Sequence, residues 1–148
     1  MFAQVGPSMK TYIETRALPP SRPSREAYEA ALARRDQLKA TVRDWYSQHN
    51  ILMLAHPVIM GLPPKLSDGI ETEVGGQKIP FRVAIGRNIA LGGCASMSSL
   101  VLPAGETPSG LPVGLEFDAL SGQDRELLSV GLSLEATLGR ANRPPLLG

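Results

Sequence analysis

Two stretches near the C-terminal end decide the fold: Ser98-Ser99-Leu100-Val101-Leu102 and Val113-Gly114-Leu115-Glu116-Phe117, separated by a turn-rich run from Pro103 to Gly110. Each is a short apolar segment bounded by Pro and Gly, which reads as a strand. Upstream, Phe81 to Leu91 places Phe81, Ala84, Ile85 and Asn88 near one face of a helix that Gly92-Gly93 is expected to stop. Downstream, Ser121-Gly122-Gln123-Asp124 has the Ser-x-x-Asp form of a helix start, Leu127, Gly131, Leu134 and Leu138 follow on one side, and Gly139 ends the element.

Further toward the N-terminus, Gln77 to Ile79 and Ile70 to Val74 flank Gly75-Gly76, the signature of a tight hairpin. Ile51 to Leu54 is an apolar run that suits a buried strand ended by Pro57. From Ser24 to His49 there is neither Gly nor Pro, and Tyr28, Leu32, Leu38, Val42, Trp45 and Tyr46 recur at helical spacing. On its other faces Arg35, Lys39 and Arg43 share one line, and interleaved acids make that a solvated surface. Residues 1–23, with Gly6-Pro7, Pro19-Pro20 and Pro23, read as an extended connector holding at most a short helix. The alternation of helices and strands predicts an α/β class with a partial mixed or parallel sheet and flanking helices, in one incomplete domain over residues 24–148.

Composition narrows the function classes. The chain has 148 residues, 15 Lys and Arg against 14 Asp and Glu, and a net charge of +1, so it carries no broad field for nucleic acid or an anionic membrane. The uncharged stretch from Asn88 to Gly105 is broken by glycines, serines and Pro103, unlike a bilayer span. Cys94 is the single cysteine and the chain does not open on an apolar leader, which makes the cytoplasm the expected compartment. His49, His56 and Cys94 are too dispersed for a metal site, and neither GxGxxG nor a P-loop occurs, so no metal and no cofactor is expected.

Two constellations could carry chemistry. Glu116 and Asp118, two apart on a strand, share a face and could work as an acid/base pair; an exposed strand end is the plainer expectation. Gly92 to Ser99 offers Cys94 and serines among small residues, with His56 as the base that either would need; a buried, packed Cys94 is the plainer expectation there.

The run from Asn88 to Gly105, ending Leu102-Pro103-Ala104-Gly105, followed by Gly110-Leu111-Pro112-Val113-Gly114-Leu115-Glu116, closely resembles the C-terminal part of the amidase signature family. Gly122 to Leu138 resembles the family's last helix, and Tyr28 to Trp45 the helix before the strand Ile51 to Leu54, so the resemblance runs from about Ser24 onward. Val113 to Phe117 and Asp124-Arg125-Glu126-Leu127-Leu128 are similar to the mandelamide and indoleacetamide hydrolases of that family.

The family's catalytic Lys, cis-bonded Ser and nucleophilic Ser belong to a Gly/Ser-rich signature upstream of the matched region. The 148 residues contain no such segment, and Ala55-His56-Pro57 stands where many members carry a Thr-Pro-Thr-like turn. The resemblance therefore implies a part of an amide hydrolase that supplies sheet core and pocket wall, holds no catalytic residue, and is inactive alone. His56, Phe81, Ile85 and Asn88 become the candidate pocket residues. A small amide is the implied substrate only when an N-terminal amidase portion completes the site. An open sheet edge implies self-association or pairing with another chain, and a noncatalytic binding or scaffold module built on the same half-fold is the alternative.

Overall fold

The computed structural model describes residues 5–16, 22–65, 67 and 71–139, and Pro19, Pro20, Gly69 and Ile70 lie outside them. Contacts divide the chain into two compact units, residues 1–37 and 38–148, a boundary that falls inside the long helix. The first unit holds α1 (Pro7–Arg16), a helix within what the prolines suggest is an extended connector, and the first half of α2 (Arg25–Gln48). Ser24 starts α2 by accepting the Ala27 amide hydrogen on its Oγ at 3.2 Å.

The second unit carries two antiparallel sheets. β2 (Glu71–Val74) and β3 (Gln77–Pro80) form the expected hairpin, with Gly75 and Gly76 at φ 58° and 78°, a left-handed pair that only glycine adopts without strain. The three-stranded sheet runs in the order β1 (Leu54–Pro57), β5 (Pro112–Ala119), β4 (Ser98–Glu106). Every pairing among the described residues is antiparallel, where a mixed or parallel sheet was expected. The reason lies in the strands: β5 is apolar on one face only, with Leu115, Phe117 and Ala119 alternating with Glu116 and Asp118, whereas a parallel sheet covered by helices favours continuous apolar runs.

Other boundaries move for local reasons. β1 starts at Leu54 rather than Ile51, because Asn50 adopts a left-handed φ of 51° and the Ile51 amide donates to the Tyr46 carbonyl, closing α2 first. α3 (Phe81–Ala95) runs through Gly92-Gly93 and ends only where Ser96 turns left-handed, with its amide on the Gly92 carbonyl. α4 (Asp124–Leu138) begins at Asp124, and Ser121 makes no cap: Gln123 instead accepts the Leu120 amide on its side chain at 3.2 Å.

The helices cover the sheet unequally. On the Phe117 face, Leu127 and Leu134 of α4 pack with Phe117, Ala119, Leu100 and Leu102. Gly131 lets α4 approach, since a Cβ there would stand 2.3 Å from Leu100 Cδ2. On the Asp118 face, Val42 and Tyr46 of α2 and Ala95 of α3 form a second cluster with Leu54, Leu91 and Met97. Of the predicted stripe on α2, only Leu38, Val42 and Tyr46 are covered; Tyr28, Leu32 and Trp45 remain exposed.

Candidate functional site

The polar face of β5 is the chemical centre of the second unit. Glu116 and Asp118 project from it side by side, as the period of a strand requires, and both are buried, at 6% and 0% exposure. This corrects the expectation of an exposed strand end. The burial follows from register: His56 of β1 lies opposite Glu116, Ser99 of β4 lies opposite Asp118, and α3 closes over them.

Asp118 is the hub. Its Oδ1 accepts the Ser99 hydroxyl at 2.5 Å, its Oδ2 accepts His56 Nε2 at 3.1 Å, and its backbone carbonyl accepts the Tyr46 hydroxyl at 2.8 Å. Gly92 makes room above it, because a Cβ there would stand 3.3 Å from both carboxyl oxygens and from Ser99 Oγ. Through these bonds the Asp118 side chain fastens three strands together, while its backbone carbonyl ties α2 to the sheet.

His56 contacts acceptors on both sides of its ring, Asp118 at Nε2 and the Pro57 carbonyl at Nδ1, 3.1 Å each. Filling both contacts takes two N–H groups, the imidazolium form. Burial works against that charge, but the Asp118 hydrogen bond, the Pro57 carbonyl and the charges of Asp118 and Glu116 outweigh it and raise the imidazole's affinity for its proton. Burial also pushes the Glu116 carboxyl above the usual carboxylate range, with the neighbouring Asp118 adding to the effect and His56 and Ser99 opposing it. Glu116 Oε2 is buried without a hydrogen-bond partner.

This order of contacts does not activate a nucleophile. Ser99 gives its hydrogen to a carboxyl rather than to an imidazole, and His56 has both nitrogens committed, so it serves neither Ser99 nor Cys94 as a base. Cys94 is exposed, contrary to the expectation of a packed thiol. Among the described residues no group of three or more His, Cys, Asp or Glu is arranged to hold a metal ion.

The candidate pocket residues separate into two sets. Asn88 Nδ2 donates to the Pro57 carbonyl at 2.7 Å, the same oxygen that receives His56 Nδ1, so His56 and Asn88 meet on one acceptor. Asn88 also lines an open groove of about 490 Å³ with Val58, Met60, Leu62, Val74 and Val113. Phe81 and Ile85, in the first turns of α3, are half-buried and do not line this groove. The groove wall is held by hydrogen bonds from the Val58 amide to the Gly114 carbonyl and from the Met60 amide to the Ala84 carbonyl, and by Thr72 Oγ1 donating to the Leu62 carbonyl at 2.7 Å.

Residues 3–128 match the model of the Amidase family. The chain belongs to that family. Relatives within it include the indoleacetamide hydrolase of Pseudomonas savastanoi, 35% identical over 113 residues that cover 76% of this chain and 23% of the relative. The mandelamide hydrolase of Pseudomonas putida is 29% identical over 125 residues, 83% of this chain and 24% of the relative. An amidase crystal structure superposes with a TM-score of 0.73 at 25% identity, over 90% of this chain and 29% of the other. A 6-aminohexanoate cyclic dimer hydrolase shares the fold with a TM-score of 0.70 at 22% identity, over 86% of this chain and 28% of the other. The chain thus spans about a quarter of the length of these curated amidases and corresponds to a C-terminal portion of the family.

His56 and Asn88 are legible in the sequence as candidate site residues, whereas Asp118 as their hub is not. The signal was present in the alternation of Glu116 and Asp118 with Leu115, Phe117 and Ala119, since a two-residue period puts both acids on one face. Their burial depends on α3 and on β1, which no local pattern announces.

Proposed function

We propose that these residues act as the C-terminal portion of an amidase that hydrolyses a carboxamide C–N bond, with the catalytic Lys, Ser and Ser supplied by a segment that the 148 residues do not contain. The observation that carries this reading is the family match over residues 3–128 at about a quarter of the relatives' length. The chemistry of the polar face supports it: Ser99 and His56 are spent on Asp118, so they hold strands in place. The groove beside Asn88, mostly apolar and fixed by backbone hydrogen bonds, suits the wall of a pocket for a small amide. In this reading Asn88 and the Pro57 segment border the substrate, His56 anchors that segment from behind, and Phe81 and Ile85 support α3. No helix among the described residues is long and apolar enough to cross a membrane. The single Cys94 suits a reducing compartment, so we place the protein in the cytoplasm.

A noncatalytic scaffold or binding module is the second reading, and one observation favours it. β1 and β4 are edges of the three-stranded sheet, so either edge can pair with another chain or a second copy.

An amide-hydrolysis assay separates the readings, with indoleacetamide, mandelamide and simple aliphatic amides as probes. The chain is assayed alone and after mixing with a separately expressed N-terminal portion of a related amidase. Turnover only in the mixture is the expected result. Turnover by the chain alone overturns the proposal, and a stable complex that stays silent favours the scaffold.

A further inference from the structure

The cluster on β5, in which Glu116 and Asp118 are buried, His56 is half-buried and Ser99 is exposed, is more than a set of strand ties, because its hydrogen bonds require particular proton positions. Three strands bring their groups to one place: His56 from β1, Glu116 and Asp118 from β5, Ser99 from β4. α2 adds the Tyr46 hydroxyl, bound to the Asp118 carbonyl, and α3 faces the cluster with Gly92 and, one turn earlier, Asn88, neither of which carries charge. The ionisable groups that act on one another here are therefore His56, Glu116, Asp118 and Tyr46.

Charge accounting follows from these contacts. His56 meets an acceptor at each nitrogen and needs both protons to fill them. Glu116, 6% exposed and with Oε2 lacking a partner, would as an anion put a second negative charge beside Asp118 with one oxygen cut off from water. A neutral carboxyl removes the second charge and lowers the cost of the unpartnered oxygen.

We propose that Glu116, Asp118, His56 and Ser99 form a proton-dependent lock that fastens β1 to β5 and β4, closed while Glu116 is neutral and His56 is charged, and released when those protons leave. Release matters to the candidate site because His56 and Asn88 share the Pro57 carbonyl at the start of the groove wall. Loss of the His56 proton removes one of its two N–H contacts, and ionisation of Glu116 sets a second negative charge beside Asp118 on the same face of β5.

The direction of the pH dependence is fixed. Glu116 and His56 both hold protons more tightly in the folded chain, so the folded state binds more protons and stability falls as pH rises. The Glu116 contribution is complete below its ordinary value near 4.5 and is lost as pH rises through its raised folded value; the His56 contribution is lost in the same way above about 6.5. Each proton released can lower the folding constant by at most about tenfold per pH unit.

The test is a set of urea unfolding curves of the full chain between about pH 5 and pH 9. The wild-type midpoint is expected to fall as pH rises, and Glu116→Gln, which keeps a neutral side chain of the same shape, is expected to flatten the acidic half of that fall. In parallel, NMR titration of the His56 ring, assigned with His49→Gln, is expected to show a value above the ordinary one that drops in Asp118→Asn. A wild-type midpoint that is flat or rises with pH overturns the lock, as does a Glu116→Gln profile parallel to wild type. A His56 titration at or below its ordinary value overturns it even where a variant fails to fold, and so does a wild-type chain without a cooperative transition.

Discussion

Gly131 sets how closely α4 approaches β4. It lies in the buried face of α4 against β4, and an added Cβ would sit 2.3 Å from Leu100 Cδ2 and 3.8 Å from Leu100 Cγ. Gly131→Ala therefore brings two opposed effects. Helix propensity favours Ala over Gly by about 1 kcal/mol. Against this, Leu100 is half-buried and packed against Phe117, Ala119 and Leu127, so moving its methyl strains that packing at about 1–3 kcal/mol. The single variant alone is a weak test, because the two nearly cancel at the low end. A double-mutant cycle with Leu100→Ala removes the ambiguity: the propensity gain appears in both Gly131→Ala arms and drops out. Leu100→Ala by itself costs about 2 kcal/mol, the low end for a half-buried leucine. The double variant should be more stable than the sum of the singles by about 1–3 kcal/mol, the clash that Leu100 no longer makes. Urea unfolding followed by far-UV circular dichroism reads all four proteins. Additivity within about 0.5 kcal/mol would refute the close approach of α4 to β4.

Tyr46→Phe removes the donor to the buried Asp118 carbonyl and should lower stability by about 1–3 kcal/mol, measured by the same unfolding curves. Gly76→Ala forces a side chain into φ 78° and should cost about 1–2 kcal/mol, felt locally as faster amide exchange across β2 and β3 while β4 and β5 keep their protection. Ser24→Ala removes the cap at the start of α2, a loss of about 0.5–2 kcal/mol, and should speed exchange of the Ala27 amide without changing that of the Tyr46 region.

The elements readable in the sequence were those whose cause is local. Gly75-Gly76 dictates the hairpin because two positive φ values are cheap only there, and Gly139, at φ 82°, ends α4 as its position suggests. The unreadable parts depend on contacts between distant segments. Gly92-Gly93 looks like a helix stop, yet α3 continues because Gly92 is needed for its small size under Asp118 and Ser99, not for its freedom to turn. Ser121 looks like a cap, yet Gln123 takes the free amide of Leu120 with its own side chain. The antiparallel pairing of β1 with β5 joins residues 58 to 64 positions apart in the chain, and no periodicity encodes such a partner.

The same distinction bears on function. Ser, His and Asp in one cluster suggest a nucleophile relay by composition, but a relay needs the imidazole between hydroxyl and carboxyl so that it can take the hydroxyl proton. Here the carboxyl of Asp118 stands between Ser99 and His56, and His56 turns its other nitrogen to a backbone carbonyl. Exchanging the order of three residues converts a catalytic device into a structural one. That order is set by register: Ser99 and Leu54 flank Asp118 on either side, while His56 stands two residues further along β1, opposite Glu116, and reaches Asp118 diagonally. Sliding β1 by two residues toward Asp118 would exchange the diagonal for a direct contact, and sliding it by one would turn His56 to the α4 face. The register of β1 is therefore what commits this cluster to holding the sheet, and with it the groove wall that starts at Pro57, in a member of the Amidase family.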